Sequence, residues 1–168
     1  PRSTRRARRW TWTQRDMALI VETGEGLPGA ESFASVADAD AYLGDRGHTA
    51  WAALAEPAKE AALRLATDYL EAVYGPLWLS ERRTEAQGLS WPRVGWPGVP
   101  APVRNACVEL ALRAAAGPLM PDQGPAVQSE QVGPLLVAYQ DGARQGVRYV
   151  LVDKMLAPYL SANKLRRA

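Results

Sequence analysis

The sequence predicts a mainly α-helical protein: a small helical bundle with a short β-hairpin extension, a basic N-terminal arm and a C-terminal helix. Residues 57–74 and 102–116 each carry apolar side chains at spacings of three and four, which is the repeat of an amphipathic helix. After residue 124 the pattern changes to short β-like runs on either side of Gly133-Pro134. We therefore expect the two long helices to pack together as the centre of the body.

Local signals place the other elements. Ser35 and Asp38 form a capping box, which predicts a first helix over about residues 36–43. Proline and glycine recur through residues 88–103, so this segment should be an irregular connector. Trp91 and Trp96 are expected to pin the connector onto the body, and an aromatic and proline-lined ligand groove is the alternative. A last helix is predicted near residues 147–160.

Charge divides the chain into two parts. It has 20 basic and 18 acidic side chains, a formal net charge of +2. Residues 1–16 hold six arginines and one aspartate, so this arm carries +5 and the remainder −3. The arm lacks a His-tag and the apolar core of a secretory signal, and we expect a retained, working extension. Such asymmetry indicates a polyanion or an acidic protein surface as its partner.

The chain offers few residues for catalysis or metal binding. Cys107 and His48 are its only cysteine and histidine, which excludes an internal disulfide and Cys/His zinc sites. Cys107 is expected to be a buried thiol, and His48 a capping or surface residue. Asp38 and Asp40, two positions apart on a helix, diverge by about 200° and should not share a metal. We expect no enzyme activity, no catalytic or metal site and no cofactor.

The segment GEGLPG matches the spacing of a dinucleotide-binding loop at Gly24, Gly26 and Gly29. That motif needs a helix to begin inside it, so that the helix N-terminus meets the pyrophosphate. Pro28 stands at that point and no strand–helix alternation follows, so we expect an ordinary loop. No apolar run approaches the ~18 residues of a membrane span, and no membrane partner is expected.

Several segments, taken in order, resemble a known family. The most specific are Gln87 with Trp91-Pro92-Arg93, and a C-terminal series made of Ser129, Glu130, Val132, Gly133, Tyr139, Leu156, Pro158 and Tyr159. Over about residues 17–160 the chain resembles the head–tail adaptor (connector, or head-completion) proteins of long-tailed bacteriophages. Some relatives carry the label of a primosomal DnaT-like single-stranded-DNA-binding protein, and that function is the alternative.

The resemblance implies a structural protein that forms a ring beneath the portal, usually of twelve copies, joins the capsid to the tail and lines the DNA channel. The implied partners are other copies of the chain, the portal protein, a tail-side connector or stopper protein, and double-stranded DNA in the channel. The implied location is the head–tail interface of the virion, and the host cytoplasm during assembly. The division expected is an arm (1–16), a helical adaptor body (17–124), a β-hairpin extension (125–146) and a C-terminal helix and tail (147–168).

Three sets of candidate site residues follow. Portal docking is assigned to Tyr159, Leu160, Lys164, Leu165, Arg166 and Arg167. Contact with a neighbouring subunit or a tail protein is assigned to Val127, Glu130, Val132, Leu136 and Tyr139. The arm lies outside the resemblance and would bind the portal or face DNA through Arg2, Arg5, Arg6, Arg8, Arg9, Trp10 and Trp12. Duplex DNA offers no easy stacking site for tryptophan, which favours a protein neighbour; arginine among tryptophans also suits single-stranded DNA.

Overall fold

A computed structural model describes residues 18–122, 129–132, 135–138 and 147–161. Within those ranges the chain is mainly α-helical, as predicted, with five α-helices and two short strands. The helices are α1 (Val36–Gly44), α2 (Thr49–Ala52), α3 (Glu56–Tyr74), α4 (Ala101–Ala114) and α5 (Val150–Leu156), and the strands are β1 (Ser129–Val132) and β2 (Leu135–Ala138). No helix in this part of the chain is long and apolar enough to cross a membrane.

Helices α3 and α4 pack against each other, and α1 and α5 pack on α4. This confirms that the two segments with three- and four-residue apolar spacing form the centre of the body. The side chains between the helices are fully buried and mostly branched aliphatic, which fills the space efficiently. They include Leu63, Leu70, Val103, Leu110, Val152 and Leu156.

Helix ends follow their local chemistry. The predicted capping box is present, because Ser35 Oγ accepts from the Asp38 N–H and the Asp38 carboxylate accepts from the Ser35 N–H. Helix α5 is shorter than predicted and passes into a 3-10 turn at Ala157–Tyr159. Pro158 explains the earlier end of the helix, since its ring cannot continue an α-helical hydrogen-bond ladder. Helix α2 was not predicted, since four residues show no periodicity.

The two strands lie inside the segment predicted as an extension. They pair in antiparallel fashion, with Ser129 opposite Ala138 and Val132 opposite Leu135. Two strands alone bury too little apolar surface to be stable in water. Their proposed contact with a neighbouring subunit or a tail protein stays a prediction.

The buried position of Leu70 gives a direct test of this core. Leu70→Asp should unfold the protein, because burying an unpaired carboxylate costs several kcal/mol. Leu65→Asp makes the same change on the same helix at a side chain that is 54% exposed, and it should melt close to the parent. Circular dichroism melting of both variants checks this; equal stability of the two variants would contradict the packing.

Candidate functional site

The connector between α3 and α4 is an ordered loop closed by backbone hydrogen bonds. Its two sides meet where the Val94 N–H donates to the Glu81 carbonyl at 2.9 Å and the Arg83 N–H donates to the Pro92 carbonyl at 3.1 Å. Arg82 and Arg93 form an isolated antiparallel bridge between these contacts. A segment rich in proline and glycine is therefore held in one conformation.

Gln87 fixes the turn of this loop from inside. Its Nε2 donates to the carbonyls of Leu89 (2.7 Å) and Pro92 (3.0 Å), and its Oε1 accepts from the Thr84 N–H (2.9 Å). Next to it, a Cβ on Gly88 would lie 2.7 Å from the carbonyl oxygen of Pro28. Only glycine therefore allows the loop to approach residues 27–30 so closely.

Arg93 is the second side chain that stabilises the loop from inside, and it is only 7% exposed. Its Nε donates to the Leu79 carbonyl at 2.7 Å, its Nη1 to the Ser90 carbonyl at 2.9 Å, and its Nη2 to the Ser80 carbonyl. Burial lowers the pKa of Arg93. Three of its N–H groups therefore bind backbone carbonyls, and the guanidinium forms no ion pair with a described carboxylate.

Aromatic rings anchor the loop to the body. Trp91 is fully buried, and its ring centroid lies 5.6 Å from that of Trp78, 5.8 Å from Trp96 and 6.0 Å from Tyr159, with edges meeting faces. The prediction that Trp91 and Trp96 pin the loop is confirmed. Trp91 and Trp78 are core residues, whereas Trp96 is only partly buried and reaches the surface.

A cavity of about 470 Å³ opens on the outer side of the loop. We call it the arginine cavity; it is lined by Arg83, Arg93, Val94, Gly95, Trp96 and Pro97. Trp96 and Pro97 also border a neighbouring cavity of about 260 Å³, which extends to Pro100. Trp96 therefore stands between two open spaces.

Arg83 lines this cavity, and both it and the preceding Arg82 are exposed. Arg83 Nη1 donates to the Gly24 carbonyl at 2.9 Å, and Arg82 Nη2 donates to the Gln87 carbonyl. Neither guanidinium forms an ion pair with any carboxylate in the described part of the chain. Sequence reasoning missed this pair; two adjacent arginines before the Gln87–Arg93 motif were the available signal.

A cavity of about 580 Å³ lies between α3 and the turn after α4. Its lining is almost wholly apolar, with Asp68 as the charged member, and comprises Leu65, Asp68, Tyr69, Ala72, Ala114, Gly117, Pro118, Leu119 and Met120. A site with one carboxylate and no cation does not suit a phosphate group. The arginine cavity is smaller and better matched to an anion.

The glycine-rich loop cannot serve as a phosphate site. The Glu22 carboxylate, 4% exposed, accepts hydrogen bonds from the backbone N–H groups of Gly24 (2.7 Å), Gly26 (2.9 Å) and Leu27 (2.8 Å). The donors that would hold a phosphate therefore already bind the protein's own carboxylate. The expectation of an ordinary loop is confirmed.

The two aspartates of α1 also have separate structural partners. Asp40 accepts from Trp51 Nε1 at 2.7 Å and pairs with Lys59 Nζ at 2.8 Å. Burial opposes the charged form of Asp40, yet the hydrogen bonds from Lys59 and Trp51 and the Lys59 charge outweigh it, so its pKa is lowered. Asp38 caps α1, and no cluster able to hold a metal occurs in the described ranges.

Cys107 lies fully buried, with its Sγ 3.4 Å from Thr67 Oγ1. Burial raises the pKa of this thiol, and hydrogen bonds from Thr67 and Ser32 only partly offset the effect. A buried neutral thiol is a poor nucleophile. His48 is partly exposed at the start of α2 and makes no side-chain capping hydrogen bond.

Of the predicted portal-docking residues, two are described. Leu160 is 7% exposed and bridges to Trp78, and Tyr159 packs its ring on Trp91 and Trp96. Both hold the aromatic cluster together. The rest lie outside the described residues: Lys164, Leu165, Arg166 and Arg167.

The arm residues also lie outside the described ranges, as do Val127 and Tyr139. Glu130 and Val132 belong to β1, and Leu136 belongs to β2. Among the described residues singled out in the sequence, the structure brings the loop residues together with Tyr159 and Leu160, and it pairs the strands that hold Glu130, Val132 and Leu136.

The model of a family described as "putative DnaT-like ssDNA binding protein" covers residues 17–168. The chain belongs to this family. No curated protein and no solved structure matches it. The matched range begins directly after the basic arm.

This match overturns the identification as a bacteriophage head–tail adaptor. The function inferred from that resemblance, joining capsid to tail beneath a portal, is wrong, and portal, ring and stopper partners have no support. The resemblance misled because its shared residues, such as Gln87, Trp91 and Arg93, are buried scaffold. Residues that stabilise a loop indicate which fold a chain has, but they do not indicate which partner it binds. The match instead supports the alternative, a DnaT-like single-stranded-DNA-binding protein.

The carboxylate of Glu22 provides a stability test. Glu22→Gln should lower the free energy of unfolding by about 2 kcal/mol, because one amide oxygen cannot replace two carboxylate oxygens facing three N–H donors. Glu25→Gln, at an exposed neighbour, is the matched control and should change little. Urea denaturation measures both; a Glu22→Gln protein as stable as the Glu25→Gln protein would show that the Glu22 contacts contribute nothing.

Proposed function

We propose that this protein binds single-stranded DNA and performs no chemical step on it. The observation that carries the proposal is the family match over residues 17–168, whose description names single-stranded DNA binding. The described body supplies a partly exposed tryptophan beside arginines, which is the pairing of groups that such binding uses. Its one cysteine is buried and its glycine loop is occupied by Glu22.

The charge distribution explains where attraction to phosphate arises. The arm carries +5, and residues 162–168 hold Lys164, Arg166 and Arg167 without an acidic residue. The part of the chain between these two segments is therefore acidic. Binding to a polyanion gains most from the basic segments, which release counterions from the phosphates. The body then contributes local contacts rather than bulk attraction.

The composition of the arm favours unpaired bases over a duplex. Trp10 and Trp12 follow directly after Arg8 and Arg9. An unpaired base offers a free face on which an indole can stack, whereas the faces of stacked base pairs are covered. The tryptophans that had favoured a protein neighbour for the arm therefore fit single-stranded DNA equally well.

The arm gives the test of this function. We expect replacement of its six arginines by glutamine in the full chain to weaken binding to oligothymidylate. The dependence of log K on log salt should become shallower by about 0.7 for each phosphate that the arm no longer neutralises. Fluorescence anisotropy across a salt series measures both quantities.

Two comparisons make the result decisive. Arg46→Gln removes an exposed arginine just after the end of α1 and should leave binding near the parent value. A duplex of equal length should bind the parent chain less tightly than the single strand. Failure of the parent to bind single strands, or a preference for the duplex, would refute the proposed function.

A further inference from the structure

The arginine cavity concentrates positive charge that the body does not neutralise. Arg82, Arg83 and Arg93 lie around one loop, and none forms an ion pair among the described residues. Arg82 and Arg93 lie opposite each other in a backbone bridge. Burial is the main cause that lowers the pKa of Arg93, and the charge of Arg82 adds to it. Glu71 and Glu81 favour the charged form of Arg93 but do not reach ion-pair distance from it. Clustered cations repel unless an anion joins them.

The hydrogen bonds that Arg82 and Arg83 make within the protein use only some of their N–H groups. Arg82 and Arg83 each show one hydrogen bond to a backbone carbonyl, and a guanidinium carries five N–H groups. That single bond fixes the direction of each side chain and leaves further donors available. A phosphate oxygen is the acceptor that guanidinium geometry suits best.

The wall of the cavity is suited to a flat ring. Trp96 and Pro97 belong to it, and the Trp96 ring packs against Trp91 and Tyr159, whose ring centroids lie 5.8 Å and 5.1 Å from its own. An indole braced in this way loses little conformational freedom on binding. A volume of about 470 Å³ is within the range of small-ligand sites.

We propose that the arginine cavity binds one nucleotide of a single strand, with the base against Trp96 and Pro97 and its phosphate on Arg83. This inference rests on the proposed function and adds the site on the body. The basic arm would attract the strand, and the cavity would hold an unpaired base. Arg93 positions the loop and adds positive charge, with three of its N–H donors bound to backbone carbonyls.

The test compares two probes on the full chain: an oligothymidylate longer than about 16 nucleotides and an abasic strand of equal length. Trp96→Leu should reduce the preference for the base-bearing strand about fivefold, since it removes the aromatic ring on which the base stacks. Trp96→Phe should keep most of that preference. Arg83→Gln should weaken binding of both strands alike, and Arg46→Gln should weaken neither.

The ratio of the affinities for the base-bearing and abasic strands separates a loss of stacking from a general loss of binding caused by altered structure. Melting curves show which variants fold. If Trp96→Leu does not fold, photocrosslinking of the parent chain to a strand containing 5-bromodeoxyuridine replaces it, and the crosslinked peptide should contain Trp96. An unchanged ratio in folded Trp96→Leu, or crosslinks confined to residues 1–16, would overturn this inference and leave the proposed function standing. A parent chain that binds neither strand would refute both.

Discussion

The candidate site depends on the hydrogen bonds that the buried guanidinium of Arg93 donates to the backbone. This guanidinium donates to three backbone carbonyls, those of Leu79, Ser80 and Ser90, and so joins the two sides of the loop between α3 and α4. Burying a cation costs free energy unless its donors find hydrogen-bond partners, and these carbonyls supply three partners without an opposing charge. The loop is therefore held by a cationic side chain that no described carboxylate pairs with. That combination is what an anion-binding surface requires.

Rigidity and charge come from different parts of the chain. The helical core and the Trp78–Trp91–Tyr159 cluster fix the position of the loop, whereas the net positive charge lies in the arm and the C-terminal tail. An acidic body would repel a polyanion if it acted alone. Basic segments at both ends reverse that effect and bring the strand near the few cations that the body presents. On this account, charge sets affinity and Trp96 supplies contact with a base.

Some of these features could be predicted from the sequence. Apolar spacing predicted α3 and α4, and the Ser35–Asp38 box predicted the start of α1, because both signals are local. The backbone bridge between Arg82 and Arg93 and the cavity beside it could not be predicted. They depend on contacts across a loop whose sequence has no periodicity. Buried structural residues such as Gln87 carried the resemblance to head–tail adaptor proteins, and the function inferred from that resemblance was wrong. The role of Glu22 in the glycine loop was likewise not predictable, since it depends on backbone N–H groups that converge only in the folded chain.

The most direct measurement is a ¹⁵N–¹H spectrum of the tryptophan indole groups during titration with oligothymidylate. The account predicts that the Trp96 indole signal shifts as the strand binds, while the signal of Trp51, buried beside Asp40, stays in place. Substitution of Trp96 by phenylalanine assigns its signal. Saturable binding with no change at Trp96 would contradict the claim that the body contacts a base through this loop.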